Sequence, residues 1–198
     1  MTINLKKLSI FALVLLALFK LYLVQWQFSF HHLLVPPSPD LTAHLEMIDG
    51  VINAIKDHKL SLSVLSGYQP LFKLIIGYIA VIFSKDSLTV IKAIAPYWLI
   101  ITIPPFYYLV KKMYNWQIAF WATAVFVIVS SNPLLNFADA QYPDILGYNL
   151  VAPLYLIAFI NLLKNGKRLR NYLFYFTLLI LLFLSHYLVV ALMILVSV

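Results

Sequence analysis

Asp40 and His44 stand four residues apart in the stretch PPSPDLTAHLEMI, residues 36–48, just after an apolar segment long enough to cross a bilayer. An aspartate placed there can take a proton from an acceptor hydroxyl or amide, or bind a metal. A histidine one helical turn on can orient it or hold a phosphate. The competing account is structural: Asp40 is a favourable first-turn acid near a helix dipole, and His44 is its i+4 partner. A second polar stretch, NPLLNFADAQYPDILGY over residues 132–148, holds Asp139 and Asp144. Two acids returning to the side of Asp40 would complete a site, with Asp144 as second acid or metal ligand. Their plainer roles are an N-cap for the following helix, at Tyr142-Pro143-Asp144, and a loop acid at Asp139.

The element that must carry the first pair announces itself. Ser38-Pro39-Asp40 reads as a helix start, with Ser as N-cap, Pro at the first helical position and an acid in the first turn. Leu41, Leu45, Ile48, Ile52 and Ile55 then step by four and three, which makes one apolar stripe for a membrane surface or a bundle. At 100° per residue Asp40 and His44 share a shoulder of that stripe, whereas Glu46, Asn53 and Asp57 point away. Asp57 and His58 read as a solvated helix end.

Everything around these loops is apolar. The 198 residues are 63% hydrophobic and 11% charged, with a mean hydropathy of +0.92, which excludes an ordinary soluble domain. The formal charge of +7 falls in short clusters beside apolar runs, so it reads as a topology signal and not as a nucleic-acid surface. Without cysteine there is no disulfide, thiolate metal site or thiol nucleophile. The N-terminus has a basic start and an apolar run but no small-residue cleavage site, so an uncleaved anchor is expected.

Residues 8–30 make a first span, with Lys20 inside it needing to snorkel or find a partner. Longer apolar runs follow at 88–110, 116–134, 148–163 and 171–198, the last long for one span and short for two, with Ser185 and His186 midway as a turn or a polar spot facing the bundle. The run 69–83 is only fifteen residues, about 22 Å at 1.5 Å per residue, against a core of roughly 30 Å. If it spans, Lys111, Lys112, Lys164, Lys167, Arg168 and Arg170 all face outside, against the positive-inside bias. If it does not, those residues join Lys6 and Lys7 in the cytoplasm and all seven acids lie outside. The second threading is adopted. It predicts one all-α, polytopic transmembrane bundle over residues 1–198, with outer loops near 31–87 and 132–147, the first containing amphipathic juxtamembrane helices.

His31 and His32 read as interfacial. His186 is an ionisable group in an apolar run, hence a functional lead, with a neutral histidine bonded to a neighbouring helix as the plainer account. There is no glycine-rich phosphate loop, HExxH, serine-hydrolase elbow or internal repeat.

The order of these features, one span, then PDLTAHLEMI, then GYQPLFKLIIGYIAVIF, then YPDILGY, resembles the N-terminal part of the GT-C superfamily of membrane glycosyltransferases, which includes protein O-mannosyltransferases and aminoarabinose transferases. In that superfamily a first-loop acid precedes a Pro-Pro-Leu-aromatic juxtamembrane helix; here Gln69-Pro70-Leu71-Phe72 stands in its place, with Gln for the first proline. The resemblance covers roughly residues 5–163. It implies transfer of a sugar from a polyprenyl-phosphate-linked donor to an acceptor at the extracytoplasmic face. Asp40 would be the first-loop catalytic acid with His44 its positioning partner, Asp144, or less directly Asp139, the second-loop acid, and Lys85 or Lys92 the donor-phosphate group. Asp139 is the candidate metal ligand for a divalent cation such as Mg or Mn. Expected partners are the lipid-linked sugar and membrane lipids, without nucleic acid, in a multi-pass membrane protein with a cytoplasmic N-terminus. Members of that superfamily have more spans, so the chain is expected to be part of a longer module or a reduced relative without transferase activity. The rival expectation is a non-enzymatic membrane protein, a lipid or ion transporter or an assembly subunit.

Overall fold

The computed structural model describes residues 5–30, 39–65, 70–129, 142–165 and 168–197, and every element among them is a helix. In chain order they are α1 (Leu5–Phe30), α2 (Pro39–Lys56), α3 (Leu62–Leu65), α4 (Pro70–Phe83), α5 (Ser87–Ile101), α6 (Ile103–Met113) and α7 (Trp116–Val129). Then come a single turn α8 (Tyr142–Asp144), a π-helical stretch Ile145–Val151, α9 (Ala152–Asn165), α10 (Leu169–Ser185) and α11 (Tyr187–Ser197).

Among the described residues three stretches are long and apolar enough to cross a membrane: Leu5–Trp26, Ser87–Met113 and Tyr142–Lys164. Along α1, Leu8, Phe11, Leu15, Leu18 and Phe19 are each more than half exposed. An apolar surface of that extent suits lipid and not water. The second stretch is interrupted at Thr102, where α5 gives way to α6. Pro104 and Pro105 have no N–H to offer the carbonyls one turn back, and the Thr102 hydroxyl donates to Leu99 O at 3.0 Å.

Two small packed layers fix the directions of the helices. Leu13, Tyr107 and Ala119 form one, and Ala17, Ile103 and Val127 the other. Numbers rise along α1 and α7 while they fall along α6, so α6 runs against both. Beside the second layer Lys20 Nζ donates to Val127 O at 2.7 Å, which gives the lysine inside the first span its partner on α7. Lys112 donates to the side-chain oxygen of Asn161, joining the end of α6 to the end of α9. The Tyr155 and Tyr175 hydroxyls meet at 2.7 Å, and farther along the same helices Asp144 meets His186, so α9 and α10 are antiparallel. Followed to their ends, these pairings gather Lys6, Lys7, Lys111, Lys112, Lys164, Arg168 and Arg170 at one end of the bundle.

The loop between the first two long apolar stretches holds α2, α3 and α4. Of the apolar stripe on α2, Leu41, Ile48 and Ile52 are buried and Leu45 and Ile55 are half-buried. The stripe packs on α4, which runs alongside in the same direction: His44 meets Phe72, and Val51 meets Gly77. The chain then doubles back, so that α5 brings Trp98 to Phe72. The main core joins α2, α4, α5, the π stretch, α9 and α10, with Ile48, Phe72, Ile76, Tyr142, Ile145, Tyr155 and Leu182 almost wholly enclosed.

One sequence boundary is corrected. Residues 142–147, expected in the second outer loop, are helical, because Pro143 suits a first helical turn and starts the helix six residues early. The apolar run 171–198 is two helices, and the turn offered at Ser185-His186 lies between them, with His186 in an extended backbone (φ −167°, ψ 106°).

Candidate functional site

The site lies where the N-terminal ends of α2 and α4 meet α8. On α2, Asp40 is exposed in the first turn, and one turn later His44 is buried with the apolar stripe. The two therefore part company in exposure, because the shoulder they share dips under α4 at His44. Its ring meets Phe72 edge-on at 5.7 Å, and Phe72 in turn leans on Tyr142 (5.9 Å) and Trp98 (6.2 Å). These rings make an apolar wall behind the polar groups.

Electrostatics identify what faces His44. Burial lowers the His44 imidazole below its ordinary value, the charges of Asp40 and Asp144 act to raise it, and Lys73 acts to lower it. Two carboxylates from separate polar stretches and one ammonium thus act on a single buried imidazole. Lys73 is itself only 2% exposed, on α4 next to Phe72. Burial of that degree is uncommon for lysine and needs compensating polar company.

Asp144 does not act as a helix cap, since its side chain makes no cap hydrogen bond. Its Oδ1 lies 3.0 Å from His186 Nε2, with side-chain exposures of 20% and 5%. His186 is held by its own backbone: its N–H donates to Leu182 O, and its carbonyl accepts from Val189 and Val190 across the break between α10 and α11. Gly147 makes that approach possible. A Cβ there would sit 3.1 Å from His186 Cβ and 3.4 Å from Ser185 Oγ, so the π stretch presents its one residue without a side chain to the break. Tyr148 packs on the His186 ring at 5.3 Å.

Of the residues singled out in the sequence, the structure brings Asp40, His44 and Asp144 together. Lys85 and Lys92 lie elsewhere. Lys85 follows α4 and stands twelve residues, or about 18 Å of helix rise, beyond Lys73. It lines a cleft of about 510 Å³ with Asp49, Asn53, Lys56 and Asp86. Asp86 there is the N-cap of α5: its carboxylate accepts from the Thr89 hydroxyl and N–H, which holds its pKa below the ordinary aspartate value. Lys92 is exposed on α5. Asp139, His31, His32, Ser38 and Gln69 lie outside the described residues. Among the described residues no three His, Asp or Glu side chains converge to hold a metal ion, so no chemistry is derived through a divalent cation.

Sequence reasoning missed one member, Lys73, within the apolar run 69–83; its signal was its place next to Phe72 in the stretch PLFK, at the same helix end. His186 was singled out as an ionisable group in an apolar run with a bond to a neighbouring helix as the plainer account, and its partner Asp144, 42 positions away, had no local signal. No family model, curated protein or solved structure matches the chain.

Proposed function

We propose that this chain is a multi-pass membrane glycosyltransferase that moves a sugar from a polyprenyl-phosphate-linked donor to an acceptor at the extracytoplasmic face, with its basic end in the cytoplasm. The observation that carries this reading is the convergence on His44 of Asp40, Asp144 and Lys73 from two loop helices and the start of a third long apolar helix. Its cluster lies in the half of the bundle remote from the basic residues, which under the positive-inside bias is the outer half. The GT-C resemblance supplies the reaction class.

In the proposed step the Asp40 carboxylate takes the proton of the acceptor hydroxyl while the acceptor oxygen attacks the anomeric carbon. The bond from that carbon to the phosphate oxygen breaks, and polyprenyl phosphate leaves with the electron pair. Asp40 suits this role because it is exposed and its helix is anchored. His44, neutral when buried, positions it one turn away. Lys73 balances the phosphate charge, in preference to the distant Lys85 and Lys92. His186 holds Asp144 in place as the second acid.

The test is transfer of labelled sugar from a panel of polyprenyl-phosphate donors in membranes carrying the chain. Asp40→Asn is expected to lower transfer by a factor of about 100 or more with insertion intact. Full transfer by that variant overturns the catalytic assignment. Absence of transfer from every donor, with Asp40, His44 and Asp144 replaceable together at a cost in stability alone, favours the transporter or assembly-subunit alternative.

A further inference from the structure

Far from this cluster, α1 and α5–α6 leave a groove of about 340 Å³ near the basic end of the bundle. Ile10, Leu13, Ala17 and Leu18 line one side, Ile100 and Ile103 the other, and Lys111 closes one end. From Ile100 to Lys111 the groove follows eleven residues, about 16 Å at 1.5 Å per residue.

Two polar features break its apolar lining. Tyr107 is 7% exposed, yet its hydroxyl has no hydrogen-bond partner among the described residues, a costly state for a buried donor. Lys111 carries its ammonium over the Tyr108 and Tyr107 rings, at 5.3 and 6.0 Å from their centroids. All seven acids of the chain lie at positions 40, 46, 49, 57, 86, 139 and 144, so α1, α6 and α7 contain no carboxylate to neutralise it. The groove therefore pairs an acyl-shaped apolar trough with a hydroxyl donor and a cation at a membrane boundary where Lys6 and Lys7 add further positive charge.

We propose that this groove binds an anionic glycerophospholipid, its acyl chain lying along α1 and α6 and its phosphate held at Lys111, with the Tyr107 hydroxyl donating to an ester or phosphate oxygen. Basic pockets between membrane helices favour anionic headgroups for this reason, and a juxtamembrane lysine contributes roughly a factor of five in affinity. The site is independent of the proposed transferase cluster and stands if that reading fails.

Native mass spectrometry of the purified full chain in a neutral detergent tests it, comparing phosphatidylglycerol with phosphatidylcholine of the same acyl chains. Phosphatidylglycerol is expected to be retained several-fold better. Lys111→Gln is expected to weaken it about fivefold, Tyr107→Phe to weaken it less, and Val14→Trp, at an exposed position on the groove, to exclude it. Circular dichroism confirms that each variant keeps its helix content. Equal retention of the two lipids, or unchanged phosphatidylglycerol binding in both Lys111→Gln and Val14→Trp, overturns the proposal. So does full displacement by glycerol 3-phosphate alone, which would mark a free-phosphate site in place of a lipid site.

Discussion

At the residue scale His44 is the pivot, and its burial makes it a pH-sensitive one. The folded chain holds this imidazole with a lowered pKa, chiefly because burial disfavours its charged form. The unfolded chain exposes it and binds the proton more readily. Stability from neutral His44 is therefore complete above the ordinary histidine value near 6.5 and is lost as pH falls from there through the lowered folded value. Thermal unfolding of the full chain in detergent, followed by tryptophan fluorescence, is expected to show a declining midpoint between about pH 7 and 5. His44→Gln should flatten that decline by one proton's worth of slope. An unchanged profile in the variant would show that other groups set the acid response. The pairing of Asp40 with His44 was legible from their i, i+4 spacing, and His186 stood out as an ionisable group in an apolar run, whereas Lys73 as a member and Asp144 as the partner of His186 were not legible. Spacing reports neighbours on one helix; these contacts run between helices, for which a single sequence carries no period.

Among the elements, α2 and α4 must stay in register for the cluster to exist, and Gly77 sets their separation. A Cβ added there would come within 2.8 Å of Val51 Cγ1, closer than such atoms approach, and Val51 is a branched, fully buried side chain with little freedom to yield. Gly77→Ala is expected to cost about 1–3 kcal/mol in unfolding stability and to push Phe72 away from His44. Thermal denaturation would measure the first effect, and quenching of Trp98 fluorescence the second. A variant with wild-type stability would mean that the two helices separate freely. Gly50, on the same α2 but with open space where its Cβ would stand, is the control: Gly50→Ala should be neutral or slightly stabilising. The stripe Leu41, Leu45, Ile48, Ile52 and Ile55 made α2 readable in advance. Tyr142-Pro143-Asp144 marked the start of the next helix and Ser185-His186 the place of a turn, but whether the second was a turn or only a polar spot was open, since the apolar pattern resumes directly after it.

For the whole molecule, the open choice in the sequence was whether residues 69–83 cross the membrane, and the packing bears on it through direction. Phe72 faces Trp98, well inside the long stretch Ser87–Met113, whereas α4 ends at Phe83 beside the start of α5. Alongside Ser87–Met113, α4 covers only the half remote from Lys111 and Lys112 and does not reach the basic end, which agrees with its fourteen residues, about 21 Å against a core of roughly 30 Å. In the proposed topology both ends of the loop that holds α2 to α4 lie on one side of the membrane, and the seven basic residues gathered at the other end of the bundle face the cytoplasm. The chain has no cysteine, so single substitutions report without a background. Lys59→Cys and Lys85→Cys, both at exposed positions, should react with a membrane-impermeant maleimide added to intact cells, and Arg168→Cys should react only after the membrane is opened. Labelling of Lys59→Cys from outside but of Lys85→Cys only after opening would mean that α4 crosses. Asp144 would then leave the face that holds Asp40, and the proposed active site could not assemble.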